Sequence, residues 1–200
     1  MNPAVVQTLV VSKRAHAVLL GKWRSGALKG RFTGLLGAMH GEETPRAAAA
    51  RVAASLVPQL PEVQPARLEP RAIFEFCEVP TWGESREGLR STERTTELQY
   101  VYRLHDDEEM MGISSGSDNL SPLLEPQWFP LTDIPYDQMP ADDREWYPQV
   151  LDPTGPCLTG SFVFRGRTLL RHNMEEISPG SLAKLERQTH RAGVPSAKSQ

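Results

Sequence analysis

The 200-residue chain is poor in cysteine, in long apolar runs and in net charge, and each shortage closes off a class of protein. Cys77 and Cys157 stand 80 residues apart, with no partner at metal-ligand spacing and too few for a disulfide framework. That usage fits a reducing compartment. Cys77 alternates with Phe76 in a strand-like run and reads as a small apolar filler. No stretch is long and apolar enough to cross a bilayer, and Met1 to Val6 has neither a basic start nor an apolar signal core. An intracellular protein, cytoplasmic by default and not bound to membrane, is expected. A net charge of −3 and a pI near 6.0 supply no bulk attraction for a polyanion, so nucleic acid is not indicated as a partner. No internal repeat is visible. The length bounds one domain with a sizeable core.

What is present is a series of β-rich runs around one helix-forming stretch. Val5–Ser12 and Ala15–Leu20 read as strands split by a turn at Lys13-Arg14. Gly21–Arg31 reads as a basic, glycine-rich loop carrying Lys22, Arg24, Lys29 and Arg31. Ala72–Cys77 and Leu98–Leu104 alternate like paired strands. Phe162–Phe164 and Thr168–Leu170 frame a hairpin through Arg165-Gly166-Arg167. Ala141–Leu151 predicts a helix opened by Asp142 and Asp143. Pro61–Pro70, Pro80–Thr96 and Asp106–Pro122 read as long connections. The chain is expected to divide into a domain at 1–177 and a polar, mobile tail at 178–200, with a short helix at Leu182–Arg187.

The central stretch, Gly37 to Pro58, is a loop and then a helix. Thr44 suits the N-cap and Pro45 the first helical position, where a missing N–H costs nothing. Alanines then fill the helix until Pro58 ends it. Gly37, Glu43 and Arg51 fall in the spacing G-x5-E-x7-R. This resembles the Nudix box, G-x5-E-x7-R-E-U-x-E-E-x-G-U, where U is aliphatic. The family's three glutamates correspond to Val52, Ser55 and Leu56, spaced i, i+3, i+4 on one helix face. Three carboxylates there would make an oxygen site for a hard divalent ion that polarises phosphoryl oxygens. Val52 and Leu56 supply no ligand, and a serine hydroxyl replaces a carboxylate poorly. Pro58 and Gln59 replace the closing glycine and aliphatic residue. Glu43 and Arg51 are expected as an ion pair tying loop to helix.

Further segments narrow the resemblance. L-L-G, G-R-F-T-G, G-E-E-T and I-F-E-F, then W-F-P-L-T-D-I-P (128–135), D-D-R-E-W-Y-P (142–148) and G-S-F-V-F-R-G-R-T-L (160–169), occur in chain order. They are similar to the animal 8-oxo-dGTP diphosphatases, the oxidised purine nucleoside triphosphate hydrolases. The resemblance implies an α/β (α+β) Nudix fold, a mixed sheet sandwiched between helices.

It also implies a substrate site at Thr33, Phe74, Asp142, Asp143 and Trp146, beside the box remnant Gly37, Glu43 and Arg51. Adjacent carboxylates in a closed pocket repel, so one can stay protonated and donate to a purine edge. Thr33 stands where the family has asparagine, Pro140 where it stacks a tryptophan, Trp23 where it has a lysine, Ala27 where it has a phenylalanine. Trp146 and Tyr147 match a W-F pair. Leu123 stands where a further acidic residue assists the metal, with Glu125 two residues on.

No catalytic residue and no metal ligand is assigned. The expectation is a protein of this type impaired in hydrolysis, acting as a purine-nucleotide-binding or interaction module and needing no cofactor. Purine nucleotide and a protein partner both stand as ligands. The alternative is an active, metal-dependent purine nucleoside triphosphate pyrophosphohydrolase with Mg²⁺ on rebuilt ligands, for which His40, Glu42 and Glu43 are the nearest candidates.

Overall fold

Two β-rich apolar runs at the N-terminus set the middle of the sheet. In the computed structural model, which describes residues 3–79, 95–106 and 121–193, β1 (Ala4–Ser12) turns into β2 (Ala17–Trp23), with His16 in the turn at φ 47°. β1 is flanked on both edges. Its first half pairs β4 (Leu35–Ala38) and its second half β2, while β6 (Thr95–Asp106) runs parallel along its other edge. β2 continues through Lys22 and Trp23, which the sequence reading assigns to the basic loop. The reason is β7 (Leu124–Pro130), which pairs with β2 along its whole length. Pro126 and Pro130 disguise β7 in the sequence. They are tolerated because, among the described residues, β7 pairs only with β2, leaving one edge without a ladder to feed.

Around this centre lie β3 (Phe32–Thr33), β5 (Glu69–Glu78), β8 (Cys157–Arg165) and β9 (Thr168–Ile177). The strand path is β3-β2-β1-β6-β5-β8-β9, with β4 and β7 attached to β1 and β2. β1–β6 and β5–β8 are parallel and the other pairs antiparallel, so the sheet is mixed, as expected. The stretches 80–94 and 107–120, which hold most of the two long connections read from the sequence, lie outside the described residues. So does the chain from 194.

Period-2 alternation splits the core into two layers. Val6 and Val10 join the cluster under α1 (Pro45–Leu56), together with Leu182 of α3 (Pro179–Gly193). Leu9 and Val11 join the opposite cluster, under α2 (Asp143–Leu151), with Phe74, Trp146 and Phe162. α1 forms as its sequence implies: Thr44 Oγ1 accepts from the Ala47 amide at 3.3 Å, and Pro45 opens the first turn. The stretch expected to hold a short helix at Leu182–Arg187 carries the fifteen-residue α3. Leu182 is fully buried against the sheet, and the Tyr100 hydroxyl donates to Thr189 at 3.0 Å.

α2 is pinned at its C-terminal end by two buried guanidinium groups. Arg103 donates to the Asp152 carbonyl at 2.7 Å and the Val150 carbonyl at 3.2 Å. Arg71 reaches the Gly155 carbonyl at 2.7 Å, and Glu69 bridges both arginines at 2.8 and 3.2 Å. Cations there meet the negative end of the helix dipole and its unpaired carbonyls. This anchor fixes where the other end of α2, with Asp142 and Asp143, comes to rest.

Candidate functional site

The loop before α1 closes on the helix through charge. Glu43 accepts from Arg51 with both oxygens, one of them from Nε at 3.0 Å, and Arg51 also donates to the Ala38 carbonyl at 3.0 Å. The His40 amide donates to the same carboxylate. Hydrogen bonding from Arg51 holds the Glu43 carboxyl below the usual range. The expected ion pair is therefore formed, and it ties β4, the loop and α1 together.

The helix face beside it is apolar. Val52 is 3% exposed and Leu56 4%, both inside the α1-side core. Gly37 allows this packing: a Cβ on it would lie 2.8 Å from a Val52 methyl. Ser55 is exposed, and its hydroxyl donates back to the Val52 carbonyl at 2.9 Å. Positions 52, 55 and 56 thus divide between core and solvent. These side chains do not fit a divalent cation, and no group of three or more His, Cys, Asp or Glu side chains arranged for a metal occurs among the described residues. Leu123 is 47% exposed, and Glu125 lies 3.8 Å from Arg24.

At the start of α2 the two aspartates are buried, Asp142 at 5% exposure and Asp143 at 3%. Neither acts as a simple cap: Asp142 occupies the N-cap position in a helical conformation with no side-chain capping bond. Its Oδ2 instead accepts from the Trp146 indole at 3.0 Å. Asp143 Oδ2 has no hydrogen-bond partner. Burial raises the Asp142 carboxyl, opposed by the Trp146 bond. Burial, and then the charge of Asp142, push Asp143 further above the usual carboxylate range. Both carboxyls are thus pushed toward the protonated form, Asp143 the further of the two.

Phe74 and Trp146 pack together with ring centroids 5.4 Å apart, and both are fully buried. Trp146 also packs on Tyr147 at 4.3 Å. Through its indole bond, Trp146 holds the Asp142 carboxyl. Thr33 is placed differently. Its hydroxyl accepts from the Trp23 indole at 2.8 Å and donates to the Gly34 carbonyl at 2.7 Å. Its neighbour reaches α2, since the Gly34 amide donates to the Tyr147 hydroxyl at 2.8 Å.

A buried polar chain absent from the sequence reading completes the surroundings. Gln7 Nε2 donates to the Tyr147 oxygen at 2.7 Å, and Gln99 donates to Gln7. Burial and the charge of Asp143 raise the Tyr147 phenol. One sign of this chain was legible: a glutamine at an inward position of each of two central strands needs a partner. Among the loop cations, Arg31 donates to the Met139 carbonyl and Lys22 Nζ sits 5.5 Å over the Phe32 ring.

No protein-family model matches the chain. A curated relative, the oxidised purine nucleoside triphosphate hydrolase of Danio rerio, is 34% identical over 83 residues, 41% of this chain and 49% of its own length. The chain therefore spans about half of that relative. Among solved structures, a bifunctional NMN adenylyltransferase/ADP-ribose pyrophosphatase from Francisella tularensis, complexed with AMP and Mn, superposes with a TM-score of 0.52 at 17% identity, covering 78% of this chain and 42% of that one. A MutT Nudix hydrolase from Burkholderia pseudomallei gives 0.50 at 16%, covering 77% and 98%. The Nudix domain of Shewanella oneidensis NrtR with ADP-ribose gives 0.50 at 15%, covering 75% and 86%. The chain has the Nudix fold and resembles, over part of its length, the oxidised purine nucleoside triphosphate hydrolases.

Proposed function

We propose that the protein binds a purine nucleotide at the start of α2 and does not hydrolyse it through a metal ion. The supporting observation is the contrast between two places in the fold. Where the resemblance implies metal ligands, Val52 and Leu56 are packed into the core. Where it implies base recognition, two buried carboxyls persist, and one oxygen of Asp143 is left without a partner. A buried unpaired oxygen costs about 1–3 kcal/mol, so its retention fits a group kept for a ligand. With one carboxyl protonated and the other ionised, the pair both donates and accepts. Side by side, they complement the alternating acceptors and donors of a purine edge. The solved Nudix structures that carry AMP and ADP-ribose support a nucleotide as the ligand class.

Titration calorimetry with purine mono- and triphosphates, with and without Mg²⁺, tests the reading. The wild type should bind equally well in both conditions, and Asp142→Asn/Asp143→Asn should lose binding. Release of mono- and diphosphate from oxidised and ordinary purine triphosphates should be negligible and insensitive to chelator. Chelator-sensitive turnover would reinstate the enzyme, and no binding by the wild type would remove the nucleotide.

A further inference from the structure

The last strand of the sheet, β9, is an edge. Its residues, Leu170 excepted, pair with β8 on one side, and no strand of the described residues pairs its other side. A free edge presents unpaired N–H and C=O groups, a template for another chain. A register shift between Val163 and Phe164 interrupts the ladder near Leu170, so the regular edge runs from Arg171 to Ile177. Along it Arg171, His172, Asn173, Glu175 and Glu176 are exposed.

We propose that this edge pairs with the same edge of a second copy, in antiparallel register centred on Asn173. Two copies joined about an axis perpendicular to the sheet keep their faces aligned, so residues directly opposite must point to the same side. The centre of the pairing is then a single residue. With Asn173 there, Arg171 of each copy stands opposite Glu175 of the other, giving two ion pairs per dimer, and His172 stands opposite Met174. Arg171, Asn173 and Glu175 share the face that carries α3, since Ile177 packs into that core and side chains alternate. His172 and Met174 share the other face, where His172 stacks on Phe162 at 5.7 Å and Met174 packs on the α2-side core. Cross-strand opposite charges favour such pairing and like charges oppose it. Asn173 and Glu175 also line an open cleft of about 280 Å³ between the sheet and α3, which pairing would continue across the axis. The partner is thus a second copy, identified by a self-complementary charge pattern.

Sedimentation equilibrium across the micromolar range tests this with a charge swap. Wild type should dimerise. Arg171→Glu alone faces Glu against Glu, and Glu175→Arg alone faces Arg against Arg. Each should raise the dimer dissociation constant by about tenfold or more. Mixing the two variants restores both opposite-charge pairs, so a mixed dimer should form with near wild-type affinity. Far-ultraviolet circular dichroism confirms that each variant is folded. Asn173→Asp, placing like charges on the axis, should also weaken the dimer. A wild type monomeric throughout, or a dimer indifferent to the swap, overturns the proposal. Neither result depends on nucleotide binding, so the two readings fail separately.

Discussion

Asp143 is the residue whose environment and chemistry agree least. It is fully enclosed, beside a second carboxyl, and one of its oxygens has no partner. The fold raises its titration point, so the stability linked to it is complete below the unfolded value near 3.8 and is lost as pH rises through the folded one. Asp143→Asn keeps the shape and removes the titration. The variant should gain on the wild type by about 1.4 kcal/mol for each pH unit between the two titration points, read from urea unfolding across a pH series. Parallel pH profiles for the two proteins would show that the carboxyl reaches water. Val52 carries the opposite lesson. Val52→Glu places a carboxylate in an apolar pocket against Gly37, so it should cost about 3–5 kcal/mol rather than restore a metal ligand. An unchanged melting temperature would mean that this side chain can swing to solvent.

At the level of elements, two ion clusters do different jobs. Glu43 and Arg51 join a loop to α1 at a half-exposed site, where such pairs contribute about 0–1 kcal/mol. Arg51→Gln should therefore leave global unfolding nearly unchanged while hydrogen exchange rises across 38–44. Equal losses locally and globally would mean that the loop unfolds only with the whole domain. Arg71, Arg103 and Glu69 instead act on a buried helix end. They close the C-terminal end of α2, whose first turn carries Asp143 near the Tyr136 and Tyr147 phenols. The phenols of both are raised, first by burial and then by the charge of Asp143.

For the molecule as a whole, the sheet has two unequal faces. One holds α1 and α3 over mainly aliphatic side chains with Tyr100 and Tyr102, and the other holds α2 over aromatic rings and the Gln99–Gln7–Tyr147 chain. α3 belongs to the first core through Leu182, so Leu182→Ala should cost about 2–5 kcal/mol in thermal or urea unfolding. A helix that only brushed the sheet would leave the melt unchanged. Among the described residues, no helix is long and apolar enough to cross a membrane.

The sequence alone determined what depends on near neighbours. Alternation marked the central strands, Thr44 and Pro45 marked the start of α1, and the spacing of Glu43 and Arg51 set an ion pair eight residues apart. Collinear motifs carried the fold. Tertiary structure decided the rest, because the partners lie far along the chain. Gln7 meets Tyr147 across 140 residues, and Arg103 meets Asp152 across 49. β7 is a strand only because β2 offers it an edge, since its own prolines argue against one. Residues 52, 55 and 56 share a helix face in sequence, yet the sheet beneath α1 buries two of them and leaves Ser55 to water. Burial is a property of what packs against a residue, and a spacing pattern does not contain it.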